Sequence, residues 1–249
     1  MDYKNVSILL PVYNTNADYL AACFTSIKDQ TWQQFELVVV DDGSTHSDTL
    51  AMIDTIKNNL PNVKLISLQE NQGICKALNA GLAACSFDLV ARMDADDIMY
   101  PERLEKQISY MLENPDVDIL GTWELNFGTN GAIVNTEVKK HAKLVSKAMV
   151  INHDDYYIMN HPTILFKRKF IQDIGGYNNT MRHYPEDYEL WLRCLLNGAL
   201  IHNLQEVLQL YRKDNQEKLT QHFKKDSQSI CSQLKTDFIK QIEADKISC

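Results

Sequence analysis

Short apolar, β-branched runs alternate with segments whose apolar residues recur at helical spacing through the first half of the chain. This alternation restricts the fold more than any other feature. The runs are Val6–Leu10, the stretch "FELVVVDDGS" at Phe35–Ser44, Val63–Leu68, Asp88–Met93 and Val117–Gly121. Between them Tyr19–Asp29, Leu50–Asn59, Ile74–Cys85 and Pro101–Asn114 read as helices. Ile74, Ala77, Leu78, Leu82 and Cys85 share one helical face, and Pro101 suits a first helical turn. Strands that are apolar throughout need cover on both faces, so the pattern predicts an α/β fold with a mainly parallel sheet flanked by helices.

The second half changes character. Trp123–Val138 reads as irregular strands and turns around Gly128 and Gly131, and His161–Phe166 as a short strand. Lys169–Ile174 reads as a short helix stopped by Gly175–Gly176, and Asp187–Asn197 as a longer one. Asn215–Lys246 sets Leu219, Phe223, Ile230, Leu234, Phe238 and Ile242 on one stripe, a terminal helix packed on the body. Its mixed charges favour packing, with peripheral contact to a membrane surface as the other reading. No Ser/Gly/Pro-rich linker divides the chain, so residues 1–214 are expected to form one domain and 215–249 a helical extension.

The formal net charge of -8 argues against a nucleic-acid partner, which calls for a basic face. The six cysteines are scattered without a CxxC pair, which predicts free, mostly buried thiols in a reducing compartment and no zinc site. Apolar runs reach only strand length, far below the roughly 20 residues that span a bilayer. Met1–Asn5 shows no signal-peptide pattern, so a cytoplasmic protein is expected.

In open parallel sheets ligands bind beyond the carboxyl ends of the strands. Three of those ends are polar here: Pro11–Asn14, Asp41–Ser44 and Asp94–Asp97. In "RMDADD", Asp94 and Asp96 fall on one side of an extended backbone and Asp97 on the other. Magnesium and manganese take oxygen ligands, and a site that binds phosphates supplies only one or two carboxylates. Asp96 is therefore the candidate ion ligand, and Asp94 touches the ion or a ligand hydroxyl. The competing reading makes Asp96 or Asp97 a helix cap beside solvated loop charges. Asp41 or Asp42 suits an imide N–H or ribose hydroxyls, and Gly43 permits a tight turn beside a ligand; "DDGS" is equally a good acidic turn.

Absent motifs exclude neighbouring classes. The chain has no GxGxxG after its first strand and no GxxxxGK[ST], so a dinucleotide oxidoreductase or P-loop phosphotransferase would lack its phosphate cradle. Nor is there an early glycine-rich basic loop of the kind sugar nucleotidyltransferases use. Charge neutralisation falls to a metal and to basic side chains such as Lys76 and Arg92.

Five segments, "SILLPVYN", "FELVVVDDGS", "NQGICKALNAGL", "ARMDADDIMYPERLEKQ" and "PEDYELWLR", stand in the order and spacing of glycosyltransferase family 2. From Val6 to Tyr211 the chain resembles these inverting enzymes of the GT-A (Rossmann-like) fold, in particular those of bacterial O-antigen, capsule and lipopolysaccharide synthesis. The resemblance implies a nucleotide-sugar-binding half at 1–122 and an acceptor and catalytic-base half at 123–214. Carried over by position, Pro11, Tyr13 and Asn14 line a nucleobase pocket, and Asp41 or Asp42 contacts uracil or ribose. Asp94 sits by the ribose or metal, and Asp96 binds Mn2+ or Mg2+ on the diphosphate. Asp187 matches the general base with Glu186 beside it. His161, Trp191 and Arg193 border the acceptor, although Trp191 also suits the core and His161 a structural role.

The implied reaction transfers a hexose, galactose or glucose first, from a UDP-sugar to a saccharide acceptor, lipid-linked or oligosaccharide. An N-acetylhexosamine donor is the alternative. A sugar nucleotidyltransferase or a non-catalytic nucleotide-sugar binder are the rival classes. The chain departs from the family twice. Leu78, not arginine, precedes Asn79, and "LYRKDNQ" at Leu210–Gln216 lacks the histidine of Tyr-Arg-x-His, for which His222 substitutes only if its loop folds back.

Overall fold

The computed structural model describes residues 5–128, 138–153, 156–181, 185–213 and 224–247, without the side chains of 224–227 and 246–247. Strand β1 (Val6–Val12) lies between β2 (Phe35–Asp41) and β4 (Leu89–Arg92), parallel to both, with β3 (Val63–Ser67) outside β2. Helices α1 (Ala17–Lys28), α2 (Ser47–Asn59), α3 (Ile74–Ala84) and α4 (Arg103–Glu113) complete the expected alternation. The two faces of β1 explain the continuous apolar run. Leu9 joins α3 residues Leu78 and Leu82 in one core, and Ile8 and Leu10 join Leu20, Phe24, Ile53 and Ile108 in the other. Burying each such side chain contributes roughly 1.5–3 kcal/mol, so both faces hold the sheet.

The second half enters the same sheet. Its order is β3-β2-β1-β4-β9-β6-β10-β5, with β7 (Val138–Lys139) on β6 and β8 (Leu144–Val145) on β10. Here β5 is Ile98–Met99, β6 Ile119–Phe127, β9 Leu165–Lys167 and β10 Ile201–Arg212. β9 runs antiparallel to β4 and β6, whereas β6 and β10 pair in parallel. Helices α5 (Lys147–Asn152), α6 (Arg168–Asp173), α7 (Glu186–Leu196) and α8 (Lys224–Ile247) cover the half.

Two readings of the sequence need correction. His161–Phe166 is not one strand: His161–Thr163 is a 3-10 turn and only then does β9 begin, because Pro162 lacks the N–H a central strand must donate. The irregular segment assigned from Trp123 starts as four more residues of regular strand beyond Trp123, since β6 runs to Phe127 with buried Glu124 and Asn126 breaking its apolar pattern. β10 has the same disguise, with Asn203, Gln209 and Arg212 buried along it.

The terminal helix packs on α7 and α5. Phe238 and Ile242 are buried, but Ile230 is 41% exposed and Cys231 takes its place. A strict i+4 stripe drifts by about 40° per step on an α-helix, so its far end rotates out of the interface. Leu219 and Phe223 of that stripe lie outside the described residues, as do Gly131 and His222. Five cysteines (Cys23, Cys75, Cys85, Cys194 and Cys231) are free and buried. No helix among the described residues is long and apolar enough to cross a membrane.

Gly43 turns the chain at the end of β2. Its φ is +72°, and a Cβ there would lie 2.5 Å from the backbone carbon of Glu70. Gly43→Ala is expected to cost about 1–3 kcal/mol, read as a lower urea midpoint, because both the left-handed backbone and the clash oppose a side chain. An unchanged midpoint would show that the Glu70 loop yields freely.

Candidate active site

A cleft of about 460 Å³ opens beyond the carboxyl ends of β1, β2 and β4. It is lined by Asp42, Asp94, Asp96, Glu186 and Asp187, so carboxylates remote in sequence face one space. Pro11, Tyr13, Asn14, Arg92 and His161 line it too.

Two loops build the first wall. Asn14 has a positive φ of 47°, and its Oδ1 accepts from the backbone N–H of Thr45 at 2.7 Å and of His46 at 3.0 Å. Its side chain therefore joins the ends of β1 and β2. Beside it Tyr13 is 48% exposed. Asp42 accepts from the N–H of Gln72 and of Gly73 at 2.8 and 2.9 Å, which fixes its carboxylate at the mouth of α3. Asp41 instead accepts from Ser44 N–H at 2.9 Å and does not line the cleft. Of the pair, the structure offers Asp42 to a ligand. Lys76 is exposed on α3 and lies outside the lining.

The acidic corner is held by arginines. Arg92, buried at the end of β4, pairs through Nη2 with Asp94 Oδ1 at 2.6 Å. Burial works against the guanidinium charge, but Asp94 more than offsets it and the pKa is raised above the ordinary arginine value. Nε and Nη1 of Arg92 are buried and make no hydrogen bond among the described residues. Arg212 stacks between the rings of Tyr19 and Phe127 and donates through Nε to the Asp96 carbonyl at 2.8 Å. Asp97 accepts from Arg212 N–H at 2.9 Å, fastening β10 to this loop.

Oxygen atoms of Asp94, Asp96 and Asp97 all lie within 4.8 Å of one another. Hard carboxylate donors at that spacing fit magnesium or manganese. Asp97 is fully buried and absent from the cleft lining, so Asp94 and Asp96 are the two with access to an ion and to a phosphorylated ligand.

The opposite wall comes from α7. Its first turn carries Glu186, Asp187 and Glu189, which the positive end of the helix dipole favours. Asp187 Oδ1 accepts from Tyr188 N–H at 2.7 Å. Burial and the adjacent Glu186 push the Asp187 pKa up to about 6. His161 Nδ1 faces Glu186 Oε1 at 3.5 Å, and its Nε2 lies 3.0 Å from the Tyr177 hydroxyl. Burial pulls the His161 pKa down to about 3 and raises that of Tyr177. The imidazole is therefore neutral, with Nε2 against the Tyr177 hydroxyl and Nδ1 turned towards Glu186. Asp187, raised towards neutrality by its burial, is a carboxylate suited to exchange a proton there.

Two expected acceptor residues are placed elsewhere. Trp191 is 1% exposed and packs edge-on against His161 in the core. Arg193 forks onto Glu189 at 2.8–2.9 Å and donates to the Ile174 carbonyl, outside the cleft lining. In their place Glu124, Lys139, Tyr157 and Tyr211 line the cleft. A lone carboxylate inside the apolar run at Glu124 was the one sequence signal for them.

The family model for glycosyl transferase family 2 matches residues 7–175. The amylovoran biosynthesis glycosyltransferase AmsE of Erwinia amylovora is 35% identical over 214 residues, which cover 83% of this chain and 75% of that protein. An Escherichia coli UDP-Gal:alpha-D-GlcNAc-diphosphoundecaprenol beta-1,3-galactosyltransferase is 35% identical over 212 residues, covering 83% of this chain and 74% of that one. Among solved structures, S. aureus TarS 1-349 in complex with UDP-GlcNAc superposes with a TM-score of 0.68 at 25% identity, covering 87% of this chain and 60% of that one. Against a longer TarS structure the chain spans only 37% of the partner's length. The sheet flanked by helices is thus the GT-A fold, and the chain belongs to glycosyltransferase family 2.

Proposed function

We propose that this chain transfers a hexose, galactose or glucose, from a UDP-sugar to a hydroxyl of a lipid-linked saccharide acceptor in bacterial surface polysaccharide synthesis. The reading is carried by one observation: Asp42, Asp94, Asp96 and Asp187 face a single cleft. The relative named as acting on GlcNAc-diphosphoundecaprenol and the neighbour bound to UDP-GlcNAc support the donor and acceptor classes.

Asp42 and the Pro11–Asn14 turn hold the nucleoside. Asp94 and Asp96 would hold Mn2+ or Mg2+, which when bound would neutralise charge on the departing diphosphate. Arg92 orients Asp94. The carboxylate of Asp187 accepts the proton of the acceptor hydroxyl. That oxygen forms its bond to the anomeric carbon as the carbon–oxygen bond to UDP breaks, and the bonding pair leaves with UDP. Attack from the face opposite the leaving group inverts the centre, so an α-linked donor gives a β-linked product. Glu186 lies 3.5 Å from His161 Nδ1 and, after burial itself, is the neighbour that raises the Asp187 pKa.

A base must be unprotonated, and Asp187 has a pKa of about 6. kcat/KM should therefore rise through about pH 6 and level off above it. Glu186→Gln removes the neighbouring charge and is expected to move this acid limb to lower pH. A limb that stays in place in the variant would separate Glu186 from the tuning.

The donor is tested by incubating the protein with manganese and a panel of nucleotide sugars and following UDP release. Slow hydrolysis of UDP-galactose or UDP-glucose is expected. Hydrolysis of UDP-N-acetylhexosamines alone would replace the hexose assignment, and pyrophosphate release would replace the reaction class.

A further inference from the structure

Two buried charged side chains on the cleft wall carry hydrogen-bonding atoms that nothing among the described residues uses. Arg92 belongs to the acidic corner. The other is Glu124, midway along β6 and 1% exposed. Its Oε1 pairs with Lys139 Nζ at 2.8 Å, while Oε2 makes no hydrogen bond among the described residues. A buried polar atom left in this state destabilises the fold, so a donor from outside the chain is the natural complement.

Lys139 stands opposite Glu124 in the β6–β7 ladder, with Nζ 4.5 Å from the centre of the Tyr211 ring. Burial opposes its charge, but Glu124 and then Tyr211 and Tyr157 raise its pKa above the ordinary lysine value. The ammonium thus keeps its charge and spends it on Glu124. The pair is neutral overall, and its carboxylate repels phosphate. A pyranose suits it instead: one hydroxyl donates to Glu124 Oε2, an adjacent oxygen accepts from Lys139, and a C–H face rests on a tyrosine ring.

Position separates this place from the nucleoside. β6 lies four strand spacings from β2, roughly 19 Å, and β4 with Asp94 lies between them. All four side chains line the same cleft as Asp187. We propose that Glu124, Lys139, Tyr157 and Tyr211 form the subsite for the acceptor's terminal sugar, a neutral pyranose with adjacent hydroxyls. This rests on the glycosyl-transfer reading above and adds to it the residues that select the acceptor.

The test uses the full chain with UDP and manganese, offered methyl α-N-acetylglucosaminide or methyl α-galactoside, with binding followed by saturation-transfer NMR and UDP affinity by calorimetry. One glycoside is expected to bind the unaltered chain. Glu124→Gln, which keeps the shape of the side chain, and Tyr157→Ala, at a residue 54% exposed, should each weaken it by about tenfold or more while UDP affinity stays within about twofold. Glycoside affinity unchanged in both variants would overturn the proposal, as would UDP affinity falling in step. If the unaltered chain binds UDP but neither glycoside, this proposal alone falls. If it does not bind UDP, the donor reading falls with it.

Discussion

Asp187→Asn is expected to lower the transfer rate by on the order of 10²–10⁴-fold while UDP and donor affinity are retained. The substitution keeps the shape and the N–H···O contact from Tyr188 at the head of α7, but an amide cannot accept the acceptor's proton. Single-turnover transfer and calorimetric UDP binding measured on the same sample check this. Equal loss of both would remove Asp187 from the base role. The same variant should be more stable at neutral pH. The folded pKa of about 6 lies above the ordinary 3.8, so the folded state binds the proton more tightly than the unfolded chain. Below about pH 4 the group is protonated in both states and costs nothing. Above about pH 6 it is ionised in both, and the folded state bears the whole cost of holding that charge buried and beside Glu186. The melting temperature of Asp187→Asn should therefore exceed that of the unaltered chain by a few degrees at neutral pH, with the gap closing as pH falls towards 4. No gap at neutral pH would mean that the site does not strain this carboxylate.

Asp96→Asn should weaken manganese-dependent donor binding by at least the roughly 10–100-fold that even outer-shell partners of a metal typically cost. Asp96 lines the cleft, and its main-chain carbonyl is anchored by Arg212, so the loop keeps its shape when the side chain changes. UDP titrations with and without manganese give the readout. The metal-free affinities of variant and parent should agree, and only the manganese increment should vanish. A variant with the full increment would place the ion on other ligands.

The two predictions rest on side chains that the sequence exposed to different degrees. The alternation of apolar strands and helical segments from Val6 to Gly121 was legible because a strand covered on both faces must be apolar throughout. Asp94, Asp96 and Asp187 were legible as residue types at strand and helix ends, in the order the family shares. β6 beyond Gly121 and the whole of β10 were not. Their buried Glu124, Asn203 and Gln209 look like surface residues until the partners that enclose them are known. Lys76 and Arg193 lie outside the cleft lining for the matching reason: a charge near a motif says nothing of the side it faces. Lys76 points to solvent, and Arg193 is consumed by Glu189 one turn away on the same helix.

By itself the chain's order of residues determined the layered architecture, the edge of the sheet at which the cleft opens and the carboxylates available there. These follow from local periodicity, which is written along the chain. Only the tertiary structure decided that Asp42 rather than Asp41 opens to the cleft, that Asp97 is spent on Arg212, and that Glu124 meets Lys139 beside Asp187's cleft. Those outcomes depend on burial and on contacts between residues far apart in sequence, and such distances exist only once the sheet has closed.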